Sequence, residues 1–363
     1  MAKTAAWPLA LVYAALIVYA SLYPFEGWRV QGLAPWAFVF APWPRYWTGF
    51  DVLSNLLGYA PLGFLLAVAW RRQRWRAPWL MATLTTALLS LLMESLQMLL
   101  PLRVPSNVDA LLNAGGAALG AALAGLLDWT GWLLRWRRWR ERWFLEDASG
   151  ALALLMVWPL ALLYPVPVAF GLGQVLERAE AALSERLQDT PWIEWMPLRE
   201  VELQPLLPFN EVLCVGLGLL VPLLLAYGVI RQWGQRLAMA LSMTGLGVVA
   251  LSLSAALTYG PAHGWSWLGP PVALGLGWAL AALLLGLWLP RRASLVLALA
   301  ALVWQLSLLN NAASGAYFEQ TLQIWEQGRF IRFHGLIQWL GWLWPYAALL
   351  YLLRRLSLPP RQA

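Results

Sequence analysis

The chain has 363 residues, 61% hydrophobic and 12% charged, with a formal net charge of +7 and a mean hydropathy of +0.60. A soluble domain carries about 25% charged residues, so this composition excludes a water-soluble globular enzyme. The arginines lie between apolar runs, which excludes a nucleic-acid partner, and a single cysteine, Cys214, excludes a disulfide framework or a Cys-rich metal site.

Long apolar runs that do not alternate recur along the chain. In lipid every backbone polar group needs a partner, so such runs read as helices. The fold class expected is an all-α, polytopic integral membrane helical bundle of about 10 transmembrane helices. The spans fall near 6–23, 52–70, 79–100, 108–127, 150–170, 211–230, 237–257, 270–289, 293–309 and 335–353. The first lacks a strongly basic start and a small-x-small exit, so it reads as a retained signal-anchor. Lys3, Arg71 to Arg76, Arg135 to Arg142, Arg231 and Arg236, Arg291 and Arg292, and Arg354, Arg355 and Arg361 all fall on one side. By the positive-inside rule that side is the cytoplasm, with both termini cytoplasmic, in a multi-pass protein of the bacterial cytoplasmic (inner) membrane.

Polar residues concentrate in the first four spans. Asp51 and Asn55 share a face of the second, followed by Gly58, Pro61 and Gly63. Glu94 and Gln97 share a face of the third, Arg103 and Ser106 lie in the short loop after it, and Asp109 and Asn113 open the fourth. Gly116 and Gly120 continue that last face as a GxxxG surface suited to close helix packing, so Pro61, Gly63, Gly116 and Gly120 are helix-packing candidates. Spans two and four begin, and span three ends, on the outer side. The polar groups therefore converge at one end of a small bundle. An ionisable group within a membrane costs about 2–3 kcal/mol on insertion scales and needs partners. Two readings follow. One is an outward-facing ligand pocket of Asp51, Asn55, Glu94, Gln97, Arg103, Ser106, Asp109 and Asn113. The other is a network that only fixes helix register.

The ordered set Tyr23-Pro24, Asp51, Asn55, Pro61, Gly63, Glu94, Gln97, Arg103, Ser106, Asp109, Asn113, Gly116 and Gly120 resembles the VanZ-like membrane proteins over about residues 7–127. The resemblance implies a cell-envelope role of the kind associated with low-level teicoplanin resistance, a form of antibiotic resistance. It implies as ligand an amphiphile, either a glycopeptide or a lipid-linked glycan intermediate. It delivers a process rather than a reaction. The chain departs from the short family form in carrying six further spans.

Residues 7–128 thus form the VanZ-like four-helix domain. Residues 129–148 hold "WLLRWRRWRERW", in which Trp132, Trp136, Trp139 and Trp143 make one stripe and Arg135, Arg137 and Arg138 lie beside it. This reads as an inner-leaflet anchor on anionic headgroups, with a site for a cytoplasmic partner as the alternative. Residues 149–290 read as a second four-helix unit and a degenerate repeat of the first, with chance matching as the competing reading. "DVL" at 51–53 is echoed by "EVL" at 211–213, and "LPLRVPS" at 100–106 lines up with "GPAHGWS" at 260–266. In that register Glu94, Gln97, Asp109 and Asn113 become Ser254, Leu257, Gly269 and Ala273, while Arg103 and Ser106 become His263 and Ser266. Segments 172–188 and 312–329 have amphipathic spacing, and 291–363 adds two spans. No catalytic motif is recognisable: His263 and His334 are isolated, with no HExxH and no phosphate loop. The expectation is a non-enzymatic protein without metal or cofactor, whose protein partners are unknown. An enzyme or transporter acting on lipid-linked polysaccharide precursors, or a structural scaffold, stands as the alternative.

Overall fold

A computed structural model describes residues 6–23, 25–32, 34–44, 48–195, 203–313 and 331–358. Lys3, Pro24, Arg361, the side chain of His334 and, beyond 313, the expected helix at 312–329 lie outside the described residues. The structure is all-helical, with two isolated bridges and no strand among the described residues. It divides into two compact units, Met1–Trp139 and Arg140–Ala363.

The first unit contains α1 (Ala6–Leu22), α2 (Gly49–Arg72), α3 (Pro78–Gln97) and α4 (Asn107–Trp129). The starts of its helices are written in the sequence. Thr48 and Asp51 form a reciprocal capping box on α2, Pro78 supplies the first residue of α3, and the Ser106 hydroxyl accepts from the backbone N–H of Val108 and Asp109 at the start of α4. The most intimate contact is between α2 and α4. An added Cβ at Gly116 would stand 2.2 Å from the Leu56 carbonyl oxygen, one at Gly120 1.9 Å from that of Ala60, and one at Gly63 2.2 Å from that of Ala117. The two backbones therefore touch directly, with Cα–H groups facing carbonyls, a geometry open to glycine. Pro61 lies inside α2 on the same segment, where its missing N–H frees the Leu57 carbonyl. Arg71 and Asp128 pair at the far ends of the two helices.

The helix α5 (Trp132–Trp143) carries the Trp/Arg stripe across the boundary between units and has no buried residue. Trp132 and Trp136 are more than half exposed, and Trp136 stacks on Trp139 at 4.9 Å. Trp143 behaves differently, packing against the apolar core of the second unit.

The second unit contains α6 (Ser149–Ala161), α7 (Leu176–Leu187), α8 (Pro208–Tyr227), α9 (Trp233–Tyr259), α10 (Pro270–Leu285), α11 (Arg291–Asn310) and α12 (Ile331–Ser357). Every residue of α8 from Cys214 to Tyr227 is buried. A helix apolar all round belongs inside a bundle, and α6, α9, α10 and α11 surround it. Because α11 packs on α8, and α12 on α6 and α11, the expected boundary between 290 and 291 falls inside this unit. On α7 the apolar residues Leu176 and Leu183 are exposed, leaving an amphipathic helix with a bare apolar face.

Among the described residues, eight helices are long and apolar enough to cross a membrane: α2, α3, α4, α8, α9, α10 with its 3-10 extension to Trp288, α11, and α12 from Gly335. The two other expected spans, 6–23 and 150–170, fall on shorter apolar helices. Helix α1 has 17 residues and α6 only 13. At 1.5 Å per residue α6 spans about 20 Å, short of a hydrocarbon core of about 30 Å. The apolar run that suggested a span over 150–170 continues past Ala161 as non-helical chain through Pro165 and Pro167. Hydropathy does not distinguish such a segment from helix, but prolines bias it to extended backbone.

Non-helical backbone in an apolar bundle needs partners from neighbouring helices. Ser254 Oγ donates to the Leu163 carbonyl at 2.8 Å, Gln305 Nε2 to that of Phe170 at 3.0 Å, and Asn310 Nδ2 to that of Gly173 at 3.1 Å. Phe170, at φ 64, is stacked on Trp158 at 5.9 Å. The segment is thus bound to α9 and α11 by three polar side chains.

Candidate functional site

Four helix ends meet at one end of the first unit: α1 and α3 finish there, α2 and α4 begin there. Glu94, 5% exposed, lies in the last turn of α3, and its Oε2 accepts from the backbone N–H of Ser106 at 2.9 Å. Ser106 in turn caps α4 through its hydroxyl. One carboxylate and one hydroxyl thereby tie the α3–α4 turn together. Asn55 Nδ2 on α2 donates to Asp109 Oδ1 on α4 at 2.9 Å. Gln97 Nε2 donates to the Ser21 carbonyl of α1 at 2.9 Å. The Arg103 guanidinium donates to the carbonyls of Ala20 and Tyr23, where α1 exposes its unpaired carbonyls and the partial negative end of its dipole.

Deeper in the bundle, Asn113 Nδ2 donates to Ser90 Oγ at 2.9 Å. Asn113 is 3% exposed and its Oδ1 is buried with no hydrogen-bond partner among the described residues, as is Thr86 Oγ1. Such an unmet acceptor costs about 1–3 kcal/mol. The Tyr59 hydroxyl lies among Ser21, Ser90, Glu94 and Asp109. Ser90 and Tyr59 join this network although no motif singles them out, and Thr86 lies one turn further along α3; the signal available is spacing, since Thr86, Ser90 and Glu94 repeat every four residues along α3.

The loop between α1 and α2 is fastened to the same end. Gln31 Nε2 donates to the Met98 carbonyl, Asn107 Nδ2 to that of Ala41, and Phe38, in a short 3-10 turn, packs on Met98 and Ala110. Of the eight residues expected to line a pocket, seven are drawn into the junction of α1, α3 and α4 with the second turn of α2. Asp51 stands apart: it is exposed and closes the α2 capping box, with Thr48 N–H and Oγ–H donating to its Oδ2 at 2.9 and 2.8 Å. Asp51→Ala is therefore expected to lower stability by about 1 kcal/mol through the lost cap, seen as a lower thermal midpoint in detergent.

Such a unit defines a class: a helical membrane domain whose second and fourth helices clasp backbone to backbone below a polar cap. Residues 7–128 match the family model described as VanZ/LLP1, so that segment, about a third of the chain, resembles the VanZ-like proteins. The eight apolar helices make it a multi-pass membrane protein. No curated protein and no solved structure matches the chain.

Proposed function

We propose that the protein works in the bacterial cytoplasmic membrane as a non-enzymatic envelope protein, and that the polar end of its VanZ-like unit faces outward. There it engages an amphiphile, a glycopeptide antibiotic or a lipid-linked glycan intermediate, and alters its availability. The observation that carries this reading is the buried Asn113 oxygen, one turn along α4 from Asp109, left without a hydrogen-bond partner among the described residues. A network serving only to fix register has no need of an unmet acceptor at its base. The carboxylates and amides would meet donor groups of the headgroup, and the apolar tail would run along the lipid-facing helices. On the cytoplasmic side the exposed Trp132, Trp136 and Trp139 with Arg135, Arg137 and Arg138 would rest on anionic headgroups.

A second reading, a purely structural network, is favoured by the partners of Gln97 and Arg103, which are backbone carbonyls of α1. Teicoplanin susceptibility in a sensitive host separates the two. The wild-type protein is expected to raise the inhibitory concentration, and Glu94→Gln and Arg103→Ala at equal membrane abundance to abolish the rise. Glu94→Gln keeps an oxygen for the Ser106 N–H, so its loss of effect would not follow from unfolding. Unchanged susceptibility with well-inserted wild-type protein would reject a glycopeptide role in that host.

A further inference from the structure

The second unit holds a cavity of about 260 Å³ at the end where α8 and α10 begin and α9 finishes. Its walls are mainly apolar and include Pro165 from the non-helical segment and Trp267. The polar lining includes Glu211, Ser254, Thr258 and Ser266. Glu211 sits in the first turn of α8, at the positive end of the helix dipole. Among the described residues its carboxylate makes no hydrogen bond and no ion pair, and no basic residue lines the cavity. Arg231, Arg236, Arg291 and Arg292 follow the other ends of these helices, and Arg178 and Arg186 of α7 are not among the residues that line the cavity.

Two of the hydroxyls have committed their protons. Ser254 donates to the Leu163 carbonyl and Thr258 to that of Ser254, so what each has left is acceptor capacity. Trp267 is fixed in place by its own Nε1, which donates to Ser252 Oγ and the Gly264 carbonyl, both at 3.1 Å. The cavity therefore offers a carboxylate, hydroxyl lone pairs, an immobilised indole and an apolar wall. What complements it is a compact cation with several N–H donors attached to an apolar chain.

The first unit shows why space is available here. In register from Pro101 and Pro261, Ser254 takes the place of Glu94 and Ser266 that of Ser106. In the first unit the long carboxylate of Glu94 reaches the Ser106 N–H and closes the junction. In the second, the shorter Ser254 turns to Leu163 instead, and the junction stays open.

We infer that this cavity binds the primary-ammonium headgroup of an amphiphile, with Glu211 as its counter-ion and any phosphate left at the mouth. The full-length protein in lipid nanodiscs tests this with two photoactivatable probes of identical acyl chains, phosphatidylethanolamine and phosphatidylglycerol, and adducts mapped by peptide mass spectrometry. The ethanolamine probe is expected to label the end of α9 and the Trp267 segment about tenfold more than the glycerol probe, the factor expected of one charge-assisted contact. Glu211→Gln should erase the preference and leave the thermal midpoint unchanged, because the carboxylate has no hydrogen-bond or ion-pair partner among the described residues. Glu211→Asp should keep part of it, and Ala255→Phe, which fills the cavity, should lower labelling by both probes. Equal labelling by the two probes, or full preference in Glu211→Gln, would overturn the inference. Competition by free ethanolamine as effective as that by the lipid would overturn its amphiphile part.

Discussion

Gly120→Leu is expected to remove most correctly folded protein, measured as the monodisperse fraction after detergent extraction, while Gly125→Leu leaves it near wild type. An added Cβ at 120 falls 1.9 Å from a carbonyl oxygen of α2, whereas one at 125 meets nothing within 4 Å. The obstacle at 120 is backbone in a helix, which has no rotamer to turn away. Relief requires α2 and α4 to separate, and Gly116 and Gly63 bring the same two backbones together, an added Cβ at either standing 2.2 Å from a carbonyl oxygen of the partner helix. Separation would also pull Asn55 from Asp109. Overpacking of a side-chain core typically costs about 1–3 kcal/mol; a clash with main chain in the tightest interface of the unit should exceed that. Gly120→Ala, with the same Cβ and nothing beyond it, should fall between the two. A stable Gly120→Leu would show that the helices part without loss, and that their contact is not what assembles the unit.

The sequence exposed the residues that are rare in apolar surroundings. Glu94, Arg103, Asp109, Asn55 and Asn113 stand out because each is costly in lipid without a partner, and the glycines stand out by their four-residue spacing. The partners themselves were not legible. Arg103 meets two backbone carbonyls of α1 and Glu94 a backbone N–H, and main-chain groups carry no sequence signature. The four-residue spacing of Asp51 and Asn55 points to a shared face, although a Thr three residues before an acidic residue also marks a cap. The break of α6 at Ala161 was hidden because hydropathy measures composition, not backbone. Its sequence signals are Pro165 and Pro167, together with Gln305 and Asn310, two amides in the largely apolar α11. A buried amide in such a helix points to backbone elsewhere that lacks a partner.

Asn310→Leu should therefore be the most damaging single change in the second unit. Helix α7 begins at Leu176 after Val175, a residue with no side-chain cap to offer. Asn310 Oδ1 supplies the cap from α11, accepting the N–H of Val175 at 3.1 Å and of Leu176 at 3.0 Å. Its Nδ2 holds the Gly173 carbonyl, which the Tyr346 hydroxyl also reaches at 3.2 Å. Leucine would orphan both N–H groups, at about 1–3 kcal/mol each, whereas Gly173 would retain Tyr346. The expected loss is about 2–6 kcal/mol, read as a lower thermal midpoint and as earlier proteolysis within 162–176. Asn310→Asp keeps the acceptor for both N–H groups and loses only the donor, so it should be the milder substitution, with a charge that the start of α7 favours. Gln305→Leu should fall below Asn310→Leu, since it leaves one carbonyl, that of Phe170, without its donor. If Asn310→Asp proved as damaging as Asn310→Leu, the contact with Gly173 rather than the cap on α7 would be what holds this segment in the bundle.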